Sequence, residues 1–386
     1  MNKLLFFSGS RSESSLLIPI IKSSSKKAKC GIVIGGSHTS KIFGNTFKEF
    51  RDIKNTRKYF IKHNFKSLSK HEINLYSSKI LLNLQKIIAK FKPDAIILLG
   101  DRWESMMVSV CALHNEIPTV HIHGGEKTSG SMDDIYRHCI SKMSLLHFVS
   151  HKDYKKRLIQ LGEDKKNIYI SGSIGAENVK KHNFQTKKSI EKKFKIKFNL
   201  RNILISIHPE INFKVTNLGV LERFISTISK DKNNNIFITM PSIDSNSIEM
   251  HRSLKNLTKI KNIFYIKSFG KDYYLSFLKH CDFIIGNSSS AIYEAPSLKT
   301  FAINIGDRQA GRLQSGGVFN VPYNFGKIIK IFKKLSKINN QKFFYKFKNI
   351  FYKKNTSENI TNKICSYNFK KTKNKIFIDI KFNDKN

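Results

Sequence analysis

Cysteines are few in this 386-residue chain, and none of them forms a recognisable pair. The five lie far apart, with no Cys-x-x-Cys motif, at Cys30, Cys111, Cys139, Cys281 and Cys365. This spacing argues against a disulfide framework and against a zinc site, and it predicts a reduced, cytoplasmic protein.

Long hydrophobic runs are missing as well. The N-terminal run Leu4–Phe7 is too short for the apolar part of a signal peptide, and Gly9 soon follows it. No stretch approaches the roughly 18 consecutive apolar residues that suggest a membrane helix. We therefore expect neither a signal peptide nor a membrane partner.

Acidic residues are scarce: 28 Asp and Glu stand against 69 Lys and Arg, for a formal net charge of +41. Such a charge suits nucleic-acid or membrane binding through phosphate groups. Here the lysines are spread along the whole chain together with many Asn, Ile and Phe residues, which is typical of an AT-rich genome. Nucleic-acid binders usually concentrate the charge in a stripe or tail. We expect no nucleic-acid partner, and a positive field that helps to capture an anionic small substrate.

Short apolar runs alternate with amphipathic stretches in two series. They predict strands near 3–8, 30–35, 94–99, 118–123, 145–149, 167–170, 202–207, 235–240, 262–266, 282–285 and 301–304. Strands that alternate with helices form parallel sheets covered on both faces. We predict an N-terminal Rossmann-like domain over 1–182, a C-terminal one over 183–365 with a linker near 182–200, and a basic tail over 366–386. The alternating segment 375–382 of that tail is either an added strand or a poorly ordered end.

Charged residues cluster between positions 97 and 141. Asp101 and Arg102 follow one predicted strand, and His121-Ile-His-Gly-Gly-Glu126 follows the next. A helix then opens with Asp133 and Asp134. Open α/β folds bind ligands at the carboxyl ends of their strands, so these loops should face one crevice. Opposed acids and bases there are what a proton-transfer reaction requires.

Small polar residues and arginines mark a second group of loops. Gly9-Ser-Arg11 and Gly286-Asn-Ser-Ser-Ser290 each stand between a strand and a helix, where free N–H groups favour an anion. An ordinary turn or serine cap would look similar. Glu294 suits a pair of ribose hydroxyls, and Arg308 suits bidentate contact with a phosphate. His208 ends the first strand of the second series.

Taken together, these motifs resemble the UDP-N-acetylglucosamine 2-epimerase family, most closely its hydrolysing bacterial branch. The resemblance runs from Gly9 to about Val321 and is carried by Gly100-Asp-Arg, His121–Glu126, Asp133–His138, Gly286–Ser289 and Gly306–Gln309. It implies a GT-B-like α/β fold, with two Rossmann-like, doubly wound parallel-sheet domains and a nucleotide sugar in an interdomain cleft. It also implies a homodimer or larger oligomer, and a reaction without metal or redox cofactor.

The resemblance further implies anti elimination of UDP to a glycal, followed by water addition with inversion at C2. The product would be a sugar of the N-acetylmannosamine type, used for sialic or other nonulosonic acids. The residues that it places in catalysis are Asp101, His123, Glu126, Asp133 and His208. Those that it places on substrate or UDP are Arg11, His38, Arg102, Asp134, Arg137, Gly286, Asn287, Ser288, Ser289, Glu294 and Arg308.

Two positions separate the branches of the family. The non-hydrolysing branch has Glu at the position of His123 and Arg at that of Glu126, so both residues favour release of UDP and free sugar. The first loop, Ser10–Ser15, departs from the family's Thr-Arg-Ala-Asp-Tyr-Gly, whereas Gly35–Ser40 and Phe43–Thr46 still resemble its second loop. The sugar substituents and the assignment of acid and base stay open.

Three alternatives remain at this point: a non-hydrolysing epimerase, a GT-B glycosyltransferase and a nucleic-acid-binding protein. The glycosyltransferase would share the nucleotide loops but does not need the acid–base loops. The nucleic-acid reading depends on the charge and on the basic, aromatic stretch 342–354, which is also typical of an amphipathic helix.

Overall fold

A computed structural model describes residues 1–40, 45–65, 69–210, 215–241, 247–371 and 375–380. Phe43 and Gly44 of the expected second loop, and residues 381–386 of the predicted tail, therefore lie outside the described residues. The chain forms two compact units. The first comprises Met1–Glu126, Met132–Glu177 and Phe351–Asn386, and the second comprises Lys127–Ser131 and Asn178–Ile350.

The first unit is built on a parallel sheet whose seven strands follow the order 3-2-1-4-5-6-7. Most of these strands are continuous apolar runs, such as Ala95–Leu99, and are buried along their length. Such runs are typical of a parallel sheet that is covered on both faces. The strands are β1 (Lys3–Ser8), β2 (Lys29–Ile34), β3 (Thr56–Phe60), β4 (Ala95–Leu99), β5 (Thr119–Ile122), β6 (Leu146–Val149) and β7 (Ile168–Ile170).

Helices connect these strands and supply the layers on the two faces. Ser69 shows how local sequence starts one of them, because its side chain accepts a hydrogen bond from the Glu72 amide at 3.2 Å. The helices are α1 (Arg11–Ser24), α2 (Lys70–Phe91), α3 (Trp103–His114), α4 (Asp133–Met143), α5 (Lys152–Gln160) and α6 (Ile174–Lys181), the last of which runs across the boundary between the units.

The second unit repeats this plan with six parallel strands in the order 10-9-8-11-12-13. Its strands are β8 (Arg201–Ser206), β9 (Asn234–Thr239), β10 (Ile263–Ile266), β11 (Phe283–Gly286), β12 (Phe301–Ile305) and β13 (Val318–Val321). Its helices are α7 (Lys187–Phe194), α8 (Val215–Ile228), α9 (Ser247–Asn256), α10 (Lys271–Lys279), α11 (Ser290–Tyr293), α12 (Ala295–Leu298), α13 (Phe325–Leu335) and α14 (Asn340–Phe344).

The chain returns to the first unit at Phe351 and ends its last helix there as α15 (Thr356–Ser366). Ile360 and Ile364 of this helix join the same buried cluster as Leu17 and Ile20 of α1. The core on this face of the sheet is therefore assembled from both ends of the sequence. The sequence had placed residues up to 365 in the second domain.

Several elements differ from the sequence-based prediction. The expected linker 182–200 contains α7, and the single helix expected near 289–297 is divided into α11 and α12 around Glu294 and Pro296. Residues 375–380 are not a strand. Within the described residues, no helix is both long and apolar enough to cross a membrane.

Candidate functional site

The predicted site loops follow the central strands of each sheet. In the first unit the strand order reverses between β1 and β4, and in the second between β8 and β11. A ligand crevice forms at the carboxyl ends of strands at such a reversal. Gly9–Arg11 and Gly100–Arg102 follow β1 and β4, while His208 and Gly286–Ser289 stand at the ends of β8 and β11. The topology of the chain therefore places the predicted site loops of each unit together at the carboxyl ends of the strands of its own sheet.

Arg137 organises the acidic residues of the first unit. Its side chain is wholly buried, forms an ion pair with Asp101, and donates to Asp134 Oδ1 at 3.1 Å and to the Glu126 carbonyl at 3.3 Å. A buried guanidinium is tolerated because carboxylates pair with it. Arg137 is therefore placed to orient Asp101, and its contact with the substrate, which the resemblance implied, stays a prediction.

Asp133 begins α4, the helix that also carries Asp134 and Arg137. A carboxylate in a first helical turn is stabilised by the helix dipole and the free N–H groups. Asp133 is partly exposed. Its negative charge contributes, after burial, to a raised pKa of the neighbouring Tyr136 phenol.

His121 ties the two acidic loops together from inside. Its Nε2 lies 2.7 Å from the Gly100 carbonyl and its Nδ1 lies 2.9 Å from Ser141 Oγ of α4. Burial lowers the pKa of His121 to about 3. The ring is therefore neutral near pH 7 and serves as a structural link between the loop before Asp101 and α4.

His123 and Glu126 form a buried pair in the loop after β5. His123 Nδ1 lies 3.0 Å from Glu126 Oε1, and the two residues are 7% and 1% exposed. His123 has a φ of +67°, which is uncommon for a residue with a side chain. Arg157 holds the loop by donating to the Gly125 carbonyl at 2.5 Å. A carboxylate on one ring nitrogen fixes the orientation of the imidazole, as a catalytic acid or base requires.

The loop after β1 is fastened by Glu13, a residue that the sequence did not single out. Its carboxylate accepts from the Gly9 and Ser10 amides at 2.7 and 3.3 Å, which forms a capping box at the start of α1. Burial raises the pKa of Glu13 to about 7, although Arg102 opposes the shift. Arg102 itself pairs with the buried Glu104 at 3.1 Å.

His38 has a structural place in the second loop. It is fully buried, with Nε2 at 2.9 Å from Ser8 Oγ and Nδ1 at 2.7 Å from Thr46 Oγ1. Burial lowers its pKa to about 3. Both nitrogens hold the second loop against β1, and the predicted contact of His38 with the substrate stays a prediction. Arg11, at the start of α1, is exposed.

In the second unit, Asn287 holds two predicted ligand residues in place. Its side chain accepts from the His208 amide at 2.7 Å and donates to the His208 carbonyl at 2.8 Å. Its own carbonyl accepts from Arg308 at 3.2 Å and from Gln309 at 2.8 Å. Asn287 is fully buried and therefore acts through His208 and Arg308.

Glu210 is the residue that sequence reasoning missed here. Its carboxylate accepts from Asn287 Nδ2 at 2.8 Å, from Tyr323 Oη at 3.0 Å and from the Asp307 amide at 3.1 Å. It thereby joins the loops after β8, β11, β12 and β13. Gly306, with a φ of +82°, permits this approach, because a Cβ there would lie 2.5 Å from Glu210 Oε1. The only sequence signal was its place two residues after His208.

The serine loop and Glu294 complete this edge. Ser288 is buried and its Oγ accepts from the Ser290 amide at 3.4 Å, whereas Ser289 is exposed. Gly286 has a φ of +136°, and a Cβ there would lie 2.1 Å from the Ser206 carbonyl. Burial raises the pKa of Glu294 to about 7, with opposing contributions from Ser290 and Arg312.

Comparison with known proteins identifies the family of this chain. A family model described as UDP-N-acetylglucosamine 2-epimerase matches residues 22–365. The chain is 39% identical over 300 residues to a GDP/UDP-N,N'-diacetylbacillosamine 2-epimerase (hydrolyzing) of Campylobacter jejuni, with 76% of this chain and 77% of that protein covered. It is 34% identical over 335 residues to the polysialic acid biosynthesis protein P7 of Escherichia coli, with 86% and 85% covered.

A solved structure supports the fold independently. UDP-GlcNAc 2-epimerase from Neisseria meningitidis, bound to UDP-GlcNAc, matches with a TM-score of 0.80 and 20% identity over 95% of this chain and 100% of that one. This similarity confirms the predicted GT-B-like pair of parallel-sheet α/β domains. The family match and the two relatives show that this chain belongs to the UDP-N-acetylglucosamine 2-epimerase family, in its hydrolysing branch.

Proposed function

We propose that this protein is a hydrolysing 2-epimerase of a UDP-activated 2-acetamido sugar. The observation that carries the proposal is the buried pair of His123 and Glu126, joined at 3.0 Å in the loop next to Asp101. This pair stands where the non-hydrolysing branch has Glu and Arg. Hydrolysing enzymes must activate water as well as remove a proton, and an oriented imidazole suits that additional step.

The proposed reaction begins with loss of UDP from C1 and of the proton from C2. The C1–O bond breaks, the diphosphate leaves with its electron pair, and a base takes the C2 proton, so that a C1–C2 double bond forms. Positive charge develops on the ring as the bond breaks, and carboxylates such as Asp101 and Asp133 stabilise it. Water then adds its hydroxyl to C1 and a proton returns to C2 on the opposite face.

We assign His123, Glu126, Asp101 and Asp133 to the proton transfers, with Arg137 as the residue that positions Asp101. We assign His208, Arg308, Ser288 and Ser289 to the diphosphate and Glu294 to the ribose hydroxyls, with Arg11 as a further cation for the phosphates. Asn287 and Glu210 position His208 and Arg308. These roles agree with the arrangement of each unit taken by itself.

The sugar is expected to carry more than one acetamido group or to be plain N-acetylglucosamine. One relative is named for N,N'-diacetylbacillosamine and another for polysialic acid biosynthesis. The first name specifies 2-epimerisation of a diacetamido sugar and the second specifies synthesis of a sialic acid polymer, and both support an epimerised amino sugar for nonulosonic acids as the product class that we propose. Cytoplasmic location and a homo-oligomer belong to the same proposal.

A panel experiment tests the reaction, the nucleotide and the sugar together. The protein is incubated in deuterated water with UDP- and GDP-activated 2-acetamido sugars, with and without a 4-acetamido group, and followed by NMR. We expect free nucleoside diphosphate and free 2-epimerised sugar in equal amounts, with deuterium at C2. The Asp101→Asn variant serves as the matched inactive protein. A product that keeps its nucleotide and equilibrates with substrate would show a reversible epimerase instead, and turnover only with an added acceptor would show a glycosyltransferase.

A further inference from the structure

The C-terminal segment 375–380 makes contacts with the first unit to which the proposed mechanism gives no role. It lies beyond residue 365, where the family match ends. Lys375 is unusual in it, because its side chain is only 24% exposed, whereas lysines usually remain in solvent. A buried ammonium group must find several acceptors, and the surroundings of Lys375 provide four.

Three of these acceptors belong to the end of α4. Lys375 Nζ donates to the carbonyls of Ser141 at 3.1 Å, Lys142 at 2.5 Å and Ser144 at 2.7 Å. The last carbonyls of a helix have no amide partner within the helix and carry partial negative charge. A cation at this place both satisfies them and complements the helix dipole. Lys375 therefore caps the carboxyl end of α4.

The fourth acceptor is Glu163, a carboxylate that is itself 2% exposed. It lies 2.5 Å from Lys375 Nζ, 3.0 Å from His147 Nε2 and 3.1 Å from Lys142 Nζ. Although burial alone would raise the pKa of Glu163, the hydrogen bond from His147 and the charge of Lys375 lower it. Burial also lowers the pKa of Lys375, to about 8. The group links the segment to β6, which carries His147.

A second attachment lies two residues further along. The Ile378 amide donates to the Gly162 carbonyl at 3.0 Å, and the Phe377 ring lies against Gly162, where a Cβ would meet it at 2.4 Å. Lys142 Nζ stands 4.3 Å from the centre of the same ring. Two anchors on one short segment make it a fitted part of the first unit.

α4 connects these contacts to the catalytic loops. The helix begins at Asp133, carries Arg137, and holds His121 through Ser141 near its other end. Its 11 residues span about 16 Å at 1.5 Å per residue, so Lys375 acts on the acids through the helix and not by contact. A capped helix end fixes the axial position and tilt of the whole element.

We propose that segment 375–380 is a clamp on α4, with Lys375 as a positioning residue for Asp133 and for the Arg137–Asp101 pair. This inference rests on the proposed function, since it assigns these acids to catalysis. A small displacement of reacting groups is enough to lower turnover strongly without changing how the nucleotide is held.

The test compares Lys375→Met with Lys371→Met, which removes an exposed lysine from the same tail. Methionine keeps the apolar stem of Lys375 and removes its donors. We expect Lys375→Met to lower kcat about tenfold with KM within about twofold of wild type, because misplacement acts on the reacting groups. Lys371→Met should match wild type, and Lys375→Arg, which keeps the charge, should recover most of the loss. If Lys375→Met does not fold, Lys375→Gln, which removes the charge but keeps a polar end, serves as the test variant and should show the same direction of loss.

Hydrogen exchange supplies a readout that needs no substrate. The amides of residues 140–145, at the end of α4, should exchange faster in Lys375→Met than in Lys371→Met. Unchanged exchange, or a kcat equal in the two variants, overturns the clamp. Faster exchange in a protein whose wild type releases no nucleotide from any substrate supports the clamp and overturns the proposed function, so the two failures are distinguishable.

Discussion

The two units share one sheet plan but differ in what their strand-end loops hold. In the first unit the loops carry charges that are paired and largely buried: Arg137 with Asp101 and Asp134, and His123 with Glu126. In the second unit Asn287 fixes His208 and Arg308 through hydrogen bonds of its amide groups, and the Glu210 carboxylate joins the same group by accepting from Asn287. The first arrangement fixes acids and bases, and the second presents cationic and N–H donors.

This difference teaches how one fold plan supports two tasks. Buried charge pairs are costly to assemble, but they give side chains that can exchange protons in a fixed geometry. In the second unit the Glu210 carboxylate accepts from Asn287, Tyr323 and the Asp307 amide, so its charge is engaged within the protein, and we expect Arg308 to supply the cation for the ligand. We therefore expect damage in the first unit to affect turnover and damage in the second to affect affinity.

The sharpest test of this division is Asp101→Asn. We expect kcat to fall about 1000-fold, since proton transfer and charge stabilisation at this residue are lost, while UDP affinity changes by no more than about twofold. UDP release and isothermal calorimetry measure the two quantities. Asp94→Asn is the control, because Asp94 accepts from the Lys3 amide at the other end of β4. Near-normal turnover in Asp101→Asn would break the comparison.

The variant Glu126→Gln should cause the second-largest fall in kcat. The amide oxygen can still accept from His123 Nδ1, but the charge that stabilises an imidazolium is removed, and we expect kcat to fall about 100-fold. The matched control is Asp153→Asn, which changes a surface pair at 3.5 Å between His151 and Asp153. A similar loss of turnover in both variants would mean that the buried pair has no special part in the reaction.

Arg308→Ala probes the other side of the comparison. Loss of a charged donor to phosphate should weaken UDP binding and raise KM about 30-fold, with a smaller change in kcat. Titration with UDP and steady-state kinetics give both values. Arg223→Ala provides the control in the same unit. Arg223 lies on α8, and its guanidinium stands over the ring of Phe325, at the start of α13. If kcat fell more than KM rose, Arg308 would belong with the chemistry.

Glu210→Gln should have a milder effect of the same kind. The glutamine keeps one acceptor oxygen for its three donors, so the loops loosen and UDP affinity should fall about fivefold. Tyr323→Phe removes only one of these donors and should cost about twofold at most. Measuring the UDP affinity of both variants tests whether Glu210→Gln causes the larger loss. A larger loss in Tyr323→Phe would assign the hydroxyl a direct contact with the ligand.

The last prediction concerns the stability of the first unit, not turnover or affinity, and depends on the titration of Glu13. Its pKa of about 7 in the folded protein lies above its ordinary 4.5, so the folded state binds the extra proton between these values. The free energy of unfolding should therefore fall as pH rises from about 5 to 8, by roughly 2 kcal/mol from this group. Denaturant unfolding of Glu13→Gln should show a flatter pH dependence than wild type. Glu358→Gln, which changes an exposed carboxylate, should keep the wild-type slope.

Much of the fold could be predicted because its central strands are continuous apolar runs. The apolar run Ala95–Leu99 is typical of a buried strand or of a buried helix segment. Because such short runs alternate with longer amphipathic stretches along the chain, the sequence favours a strand. β3 was missed because Thr-Arg-Lys-Tyr-Phe is a partly exposed edge strand and looks like a loop. α7 was missed because eight residues rich in lysine show little apolar periodicity beyond Ile190.

The candidate site was predictable in its residue types but not in its contacts. Strand-end positions revealed Asp101, His123 and Asn287, since the chain must turn there. Their hydrogen-bond and ion-pair partners could not be predicted, because many of these partners are distant in sequence. Arg137 and His38, for example, are fully buried and hold neighbouring residues, which the sequence did not indicate, while their predicted ligand contacts stay predictions. Glu210 had no signal beyond its place two residues after His208, and Lys375 had none, because the residues that they contact are distant in sequence.

The return of the chain at Phe351 has a consequence for synthesis on the ribosome. α15 supplies Ile360 and Ile364 to the core of the first unit, yet it is translated after every residue of the second unit. Nascent domains usually fold in order from the N-terminus. Here the first unit must wait with part of its hydrophobic surface uncovered until the second is complete. The exposed lifetime of that surface, and with it the demand for chaperones, is set by the translation time of Asn178–Ile350.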